Sequence, residues 1–237
     1  MRLPLQQQSN SFAARVYAYR HAALFLLFLF TVQIFNVLEQ TVVPRYWVQC
    51  SLDQYIPFVP AFVIPYVFWF LYVGLGLVFL CLWDKETFVP TILLLCTGMA
   101  ITLIIYAVFP HGQPLRPVVT GSDPFSAFIR DTIYANDTNT NCCPSIHVLN
   151  QLAVHAGICH SRCFRGRRGV KMASLVATVL VCASTMFIKQ HSLVDVVAAL
   201  LLELPLYWLF FRSRLRGRLE RLFSDGDLRV SAAAVIR

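Results

Sequence analysis

The sequence predicts an all-α, polytopic membrane protein: a six-helix transmembrane bundle with one long extracytoplasmic loop. Three observations lead there. Of its 237 residues, 57% are hydrophobic and 14% charged, against about 25% charged in ordinary soluble domains. The apolar excess falls in long uncharged runs, several near the roughly 20 residues needed to cross a hydrocarbon core. The basic residues concentrate in alternate connections between those runs.

The runs are 22–37, 61–83, 88–108, 145–159, 172–188 and 192–211. The fourth is the weakest, short and interrupted by His155. Six buried helices of a soluble protein would show polar faces at helical period, and the second, third and sixth runs have almost none. A polar or mixed segment precedes the first run and no small-residue cleavage site follows it, so it is expected to stay as an anchor, not to be removed as a signal peptide.

Sixteen of the twenty Lys and Arg fall on one side of this bundle: Arg2, Arg15, Arg20, Lys85, Arg162, Arg165, Arg167, Arg168, Lys171, and seven arginines from Arg212 to Arg237. Only Arg45, Arg116, Arg130 and Lys189 fall on the other. The positive-inside rule then places both termini in the cytoplasm. The chain divides into a cytoplasmic segment 1–20, a membrane domain 21–211 and a basic cytoplasmic tail 212–237. The net charge of +8 is thereby read as a topology signal and a contact with anionic lipid headgroups, not as a nucleic-acid surface. Leu215, Leu219 and Leu222 recur at helical spacing, which predicts an amphipathic helix along the inner surface.

The stretch 110–143 holds four prolines and the run Asn136-Asp137-Thr138-Asn139-Thr140-Asn141, a loop composition. A loop this long within a compact domain is usually functional or disordered. Cys81, Cys96, Cys159 and Cys182 lie in apolar runs and read as small hydrophobes. Cys50, Cys142 and Cys143 fall on the outer side, where an oxidising compartment would allow a disulfide from Cys50 to one of the pair. No paired metal-ligand spacing is present.

Three clusters fall where spans meet the outer side: Arg116-Pro117; Pro144-Ser145-Ile146-His147; and Ser184 with His191 and Asp195. His191 and Asp195 are four apart and share a helix face. A carboxylate on one ring nitrogen fixes the tautomer and frees the other nitrogen to attack. A plain interfacial His–Asp pair would look the same. Pro144 and Ser145 open a helix whose N-terminal N–H groups favour an anion, and His147 in the first turn suits a general acid. With Arg116 and Lys189, the rim fits a phosphoryl group, whose transfer depends on positioning and charge neutralisation.

Pro144-Ser145-Ile146-His147, with Ser184, His191 and Asp195 downstream, resembles the second and third motifs of the type 2 phosphatidic acid phosphatase superfamily. Arg116-Pro117 resembles the end of its first motif. The likeness covers roughly residues 90–210. It implies His191 as nucleophile, Asp195 orienting it, His147 protonating the leaving oxygen, and Arg116, Ser145 and Ser184 holding phosphate, with no cofactor or metal. Two usual basic positions are here Phe109 and Thr185, and Lys189 is a candidate replacement. The run Phe109 to Pro114 and the surroundings of Cys142-Cys143-Pro144 are more similar to the inositol phosphorylceramide synthase-like branch. The expected function is a lipid phosphatase at the outer leaflet, with a headgroup phosphotransferase as the alternative.

Glu203 and His155 inside spans admit a transport reading, but no paired repeats support it, and the missing bases admit a catalytically inactive relative. If the fourth and sixth spans pack together, His155 and Glu203 come near each other. The other reading pairs Glu203 with a hydroxyl or leaves it protonated.

Overall fold

The computed structural model describes residues 19–223. Arg2, Arg15, Arg229 and Arg237, four of the basic residues in the charge count, lie outside them. The described chain is mostly helical, with two short strands. Five helices are long and apolar enough to cross a membrane: α1 (Arg20–Thr41), α2 (Pro60–Trp83), α3 (Lys85–Val108), α6 (Arg168–Phe187) and α7 (Leu193–Arg212). Between them lie a loop helix α4 (Pro124–Phe128), which runs on through Ile129–Ile133 and Tyr134–Asn136, and the helix α5 (Ile146–His160). A last helix, α8, covers Arg214–Phe223.

The fourth expected span is thus corrected. α5 has 15 residues and reaches about 23 Å at 1.5 Å per residue, short of a ~30 Å hydrocarbon core. Its position explains how it persists. It packs against α2, α3, α6 and α7, and Val148, Leu149, Asn150, Gln151, Ala153 and Val154 are all buried. A helix enclosed by others touches little lipid, so it need not be uniformly apolar, and Asn150 and Gln151 sit where periodicity alone would demand Leu. α1 lies outside this group, against α3.

The long helices are apolar on their outer faces as well as inside. In α1 and α2 only 11% and 28% of the most apolar window is buried, against 67% in α3. Leu26, Phe30, Leu71, Leu75, Leu201 and Leu204 are exposed. In water, apolar side chains left exposed forgo about 1.5–3 kcal/mol each of burial free energy. A lipid surround removes that deficit, which favours a membrane over the soluble alternative.

Local signals set the helix ends. Asp84 caps α3 by accepting from the Thr87 N–H, and its other oxygen accepts from Ser161 Oγ (2.8 Å) and the Arg162 N–H (2.7 Å), tying two connections on one side. Ser145 caps α5 and Ser192 caps α7. Pro205 cannot donate to the α7 ladder, and the helix continues as a π-turn over Trp208–Arg212. In α8, Leu219 is buried in the core and Leu215 half-buried, but Leu222 is exposed. The amphipathic helix therefore docks partly on α3 and α7 instead of presenting all three leucines to a surface.

The long loop is ordered. His111–Gly112 (β2) pairs in parallel with Tyr46–Trp47 (β1), and Asn141 N–H and Gln113 N–H close onto His111 and Asn139 carbonyls at 2.8 and 2.9 Å. All eight cysteines are free thiols, so the Cys50 disulfide does not form here. The His155–Glu203 contact is absent too: His155 Nδ1 bonds Ser174 Oγ on α6 at 2.7 Å, and Glu203 Oε1 has no hydrogen-bond partner.

Close helix approach depends on glycine at Gly157 of α5, as it does at Gly76 of α2, where a Cβ would stand 2.5 Å from Val154 Cγ1. A Cβ on Gly157 of α5 would stand 2.6 Å from Thr91 Oγ1 and 2.8 Å from Leu80 Cδ1. Gly157→Ala should therefore destabilise by about 1–3 kcal/mol through overpacking, seen as a lower thermal midpoint in detergent. An unchanged midpoint would mean that this packing is looser than described.

Candidate active site

The site forms where the N-termini of α5 and α7 meet. Ser192 and Asp195 make a reciprocal capping box: Asp195 N–H donates to Ser192 Oγ (3.2 Å), and Ser192 N–H donates to Asp195 Oδ2 (2.9 Å). The same Oδ2 lies 3.2 Å from His191 Nδ1. The carboxylate thus holds the imidazole with Nε2 turned away, and that nitrogen lies 3.2 Å from His147 Nδ1. Ser145 N–H donates to the Asp195 carbonyl at 3.1 Å, which locks α5 onto α7.

His147 is held from three sides. Its ring packs on Tyr66 and Trp69 at centroid distances of 4.9 and 4.5 Å, and its carbonyl accepts from Trp69 Nε1 at 2.9 Å. The segment before it is pinned by Tyr106 OH to the Pro144 carbonyl (2.7 Å) and by Cys143 N–H to His111 Nε2 (2.7 Å). His111 Nδ1 faces the Phe109 carbonyl at 2.6 Å, so this buried histidine reads as a tautomer-fixed brace.

His147, His191 and Asp195 therefore come together as expected from spacing, and Ser145 joins them through its backbone. The remaining expected phosphate contacts have other partners. Ser145 Oγ accepts the Val148 N–H as a helix cap (3.4 Å). Ser184 is fully buried and donates to the Val181 carbonyl (2.7 Å). Lys189, in a left-handed conformation (φ 56°), donates from Nζ to the Asp53 and Ile56 carbonyls at 3.0 and 2.5 Å and does not line the cavity. Burial pushes its ammonium below the ordinary value. It anchors the loop before α2 instead of replacing a missing phosphate contact. Arg116 stacks over Tyr134 (4.4 Å), donates to the Thr138 carbonyl (2.6 Å) and to Gln190 Oε1, and does not line the cavity.

Phe109 and Thr185, at the usual basic positions, are structural. Phe109 stacks on Tyr46 at 4.6 Å, and the Thr185 carbonyl accepts from both Gln190 and His191 N–H.

Several contributors escaped the sequence reading. Asp137 Oδ2 accepts from Tyr66 OH and Gln190 Nε2, both at 3.0 Å. Asp53 accepts the Leu193 N–H at 2.7 Å and so braces the start of α7. Asp137 lay inside a polar run that composition assigns to loop, and Asp53 between two spans; neither carried a local signal.

His147 and His191 open onto a cavity of about 510 Å³. One wall is apolar, with Phe28, Val32 and Phe35 of α1 and Val67 and Phe70 of α2; the other is polar, with Asn141, Thr140, Asp137 and Glu39. No Lys or Arg lines it among the described residues. The chain matches no family model, no curated protein and no solved structure.

Burial, and then the nearby Glu39 carboxylate, push the Asp137 carboxyl up to about 6 from 3.8, opposed by Arg116 and His191. A raised folded-state value favours the protonated form, so its stabilising contribution is full below about pH 4 and lost as pH rises through 6. Asp137→Asn should therefore gain stability over the native chain as pH rises through that window. Thermal midpoints across the range test this, and a pH-independent difference would contradict it.

Proposed function

We propose that the protein is a lipid-phosphate phosphatase that works through a phosphohistidine. The observation that carries this reading is the relay Asp195–His191–His147, two contacts of 3.2 Å each, at one end of an amphipathic cavity. Asp195 keeps the proton on His191 Nδ1, and the lone pair of Nε2 attacks phosphorus. The N–P bond forms as the P–O bond to the lipid breaks, and His147 gives that oxygen its proton. Water then attacks phosphorus, loses a proton to His147, and releases phosphate with His191 restored. In the resting state His147 occupies the line of approach to Nε2, so substrate must displace it. The apolar wall formed by α1 and α2 suits acyl or isoprenoid chains.

A second reading, headgroup transfer to a lipid or alcohol acceptor, is favoured by one feature. Among the described residues the cavity lining carries two carboxylates and no Lys or Arg, a poorer match for a dianionic monoester than for a singly charged diester. In both readings the chain is an integral, multi-pass membrane protein with cytoplasmic termini, α5 carrying the return leg from Ser145 to the Ser161–Asp84 contact although it is shorter than the five long helices. The loop 110–143 and the site lie on the outer side, as the basic-residue asymmetry implies.

Purified protein given a panel of lipid phosphates, with and without a lipid alcohol, separates the two readings. Free phosphate marks hydrolysis, and a new phosphodiester marks transfer. His191→Ala should abolish turnover, and His147→Ala should slow it by about 10²–10⁴-fold, the usual contribution of a general acid. Full activity of His191→Ala would sink the mechanism. Turnover should survive EDTA, because the phosphoryl step is assigned to the histidines and the two lining carboxylates already accept from Thr138 (Glu39) and from Tyr66 and Gln190 (Asp137); loss of activity that Mg²⁺ restores would contradict this.

A further inference from the structure

Two members of the histidine relay, His191 and Asp195, share a donor set with Cys142, a thiol that phosphoryl transfer does not use. Cys142, His191 and Asp195 each offer one ligand atom, and these three atoms lie within 4.8 Å of one another. All three side chains are buried, Asp195 completely. Asp195 spends Oδ2 on Ser192 and His191, while Oδ1 has no hydrogen-bond partner. Leaving such an oxygen bare costs about 1–3 kcal/mol, more for a charged group. The Cys142 thiol has a 3.4 Å contact to the Thr140 carbonyl.

We infer that Cys142, His191 and Asp195 form a binding site for a soft or borderline divalent metal such as Zn²⁺ or Cd²⁺, and that filling it shuts the active site. Thiolate, imidazole and carboxylate are the donors zinc takes, at about 2.0–2.3 Å in a tetrahedron. Tetrahedral bonds of that length set donors about 3.3–3.8 Å apart, so atoms within 4.8 Å of one another need to contract by at most about 1.5 Å. Cys142 and His191 line the cavity, which supplies the route in and leaves the fourth position to water. Mg²⁺, which prefers six oxygens, is excluded by the same donor set.

Binding displaces the thiol proton to solvent and forms metal–sulfur, metal–nitrogen and metal–oxygen bonds, with no change of oxidation state. His191 must give up its hydrogen bond to Asp195 or to His147, depending on the nitrogen it offers. Either way its lone pair or its orientation is lost to phosphorus. The site itself stands on the donor geometry; only the inhibition rests on the phosphohistidine reading.

The test uses the full-length protein in detergent. Cd²⁺ titration is followed by the thiolate-to-metal charge-transfer band, which requires no substrate. The native chain should show a saturable band, and Cys142→Ser should weaken it by more than about 100-fold, beyond what loss of an outer-shell partner does. Cys143→Ser should keep it. Thermal unfolding without metal checks that each variant is folded, and Cys142→Ala serves if the serine form is not. A native chain without the band, or a Cys142→Ser band equal to the native one, overturns the site.

In the second arm Zn²⁺ is added to the phosphate-release assay, and each protein is compared with its own metal-free rate. Inhibition should be at least tenfold in the native chain, reversed by EDTA and absent in Cys142→Ser. Zn²⁺ that raises turnover would overturn the inhibitory role. A Cd²⁺ band that depends on Cys142, in a protein that releases phosphate from no lipid, would leave the metal site standing and remove the phosphatase reading.

Discussion

The site depends on a single carboxylate. Asp195 Oδ2 closes the α7 capping box and orients His191, while the Asp195 carbonyl accepts the Ser145 N–H at the head of α5. Helix termination, imidazole orientation and the register of two helices thus share one residue. Capping is local and comes from sequence; register is long-range and comes from folding. Because the same residue serves both, any fluctuation that moves α5 along α7 also misaligns His147 and His191.

The rest of the rim is a set of braces that act on this point. Lys189 and Asp53 fix the segment that leads into α7, and His111 and Tyr106 fix the segment that leads into α5. Most of these bonds end on backbone groups. Buried backbone groups paired in this way are left without an unsatisfied donor or acceptor. Such pairing also explains why Lys189 is not at the phosphate: a cation whose ammonium holds two loop carbonyls stabilises architecture, and the loop it holds carries Asp53.

The five long apolar helices were legible because length and apolarity, the requirements for crossing a membrane, can be read residue by residue. α5 was not, since enclosure by other helices is a property of the assembled chain and relaxes that requirement for Asn150 and Gln151. The relay was legible because its members lie four residues apart or at a helix start. Asp137 and Gln190 act through Tyr66 and Arg116, partners distant in sequence, so no spacing announces them. The His155–Glu203 expectation failed on helix geometry. Eight residues turn a helix through about 800°, which leaves each side chain about 80° off the face of its predecessor. His155 accordingly looks toward α6 and Ser174, not along the line that joins His147 to His191.

Phe109 and Thr185 bear on charge in the same way. Phe109 stacks between Tyr46 and His111, and His111 in turn holds the Cys143 N–H, so an apolar ring at this position supports the turn that delivers Ser145 and His147. A lysine there would trade that packing for a charge. Thr185 offers its carbonyl to Gln190 and His191, a role independent of side-chain charge. In the proposed reaction, the charge that develops on phosphorus must then be met by what remains: the first-turn N–H groups of α5, its dipole, and the two imidazoles. Neutral donors of this kind stabilise a transition state through preorganisation instead of net charge, and they lose much of their strength when water enters. Such a site requires its surroundings to be dry, and the apolar wall from α1 and α2 is what would keep them so once a lipid fills the cavity.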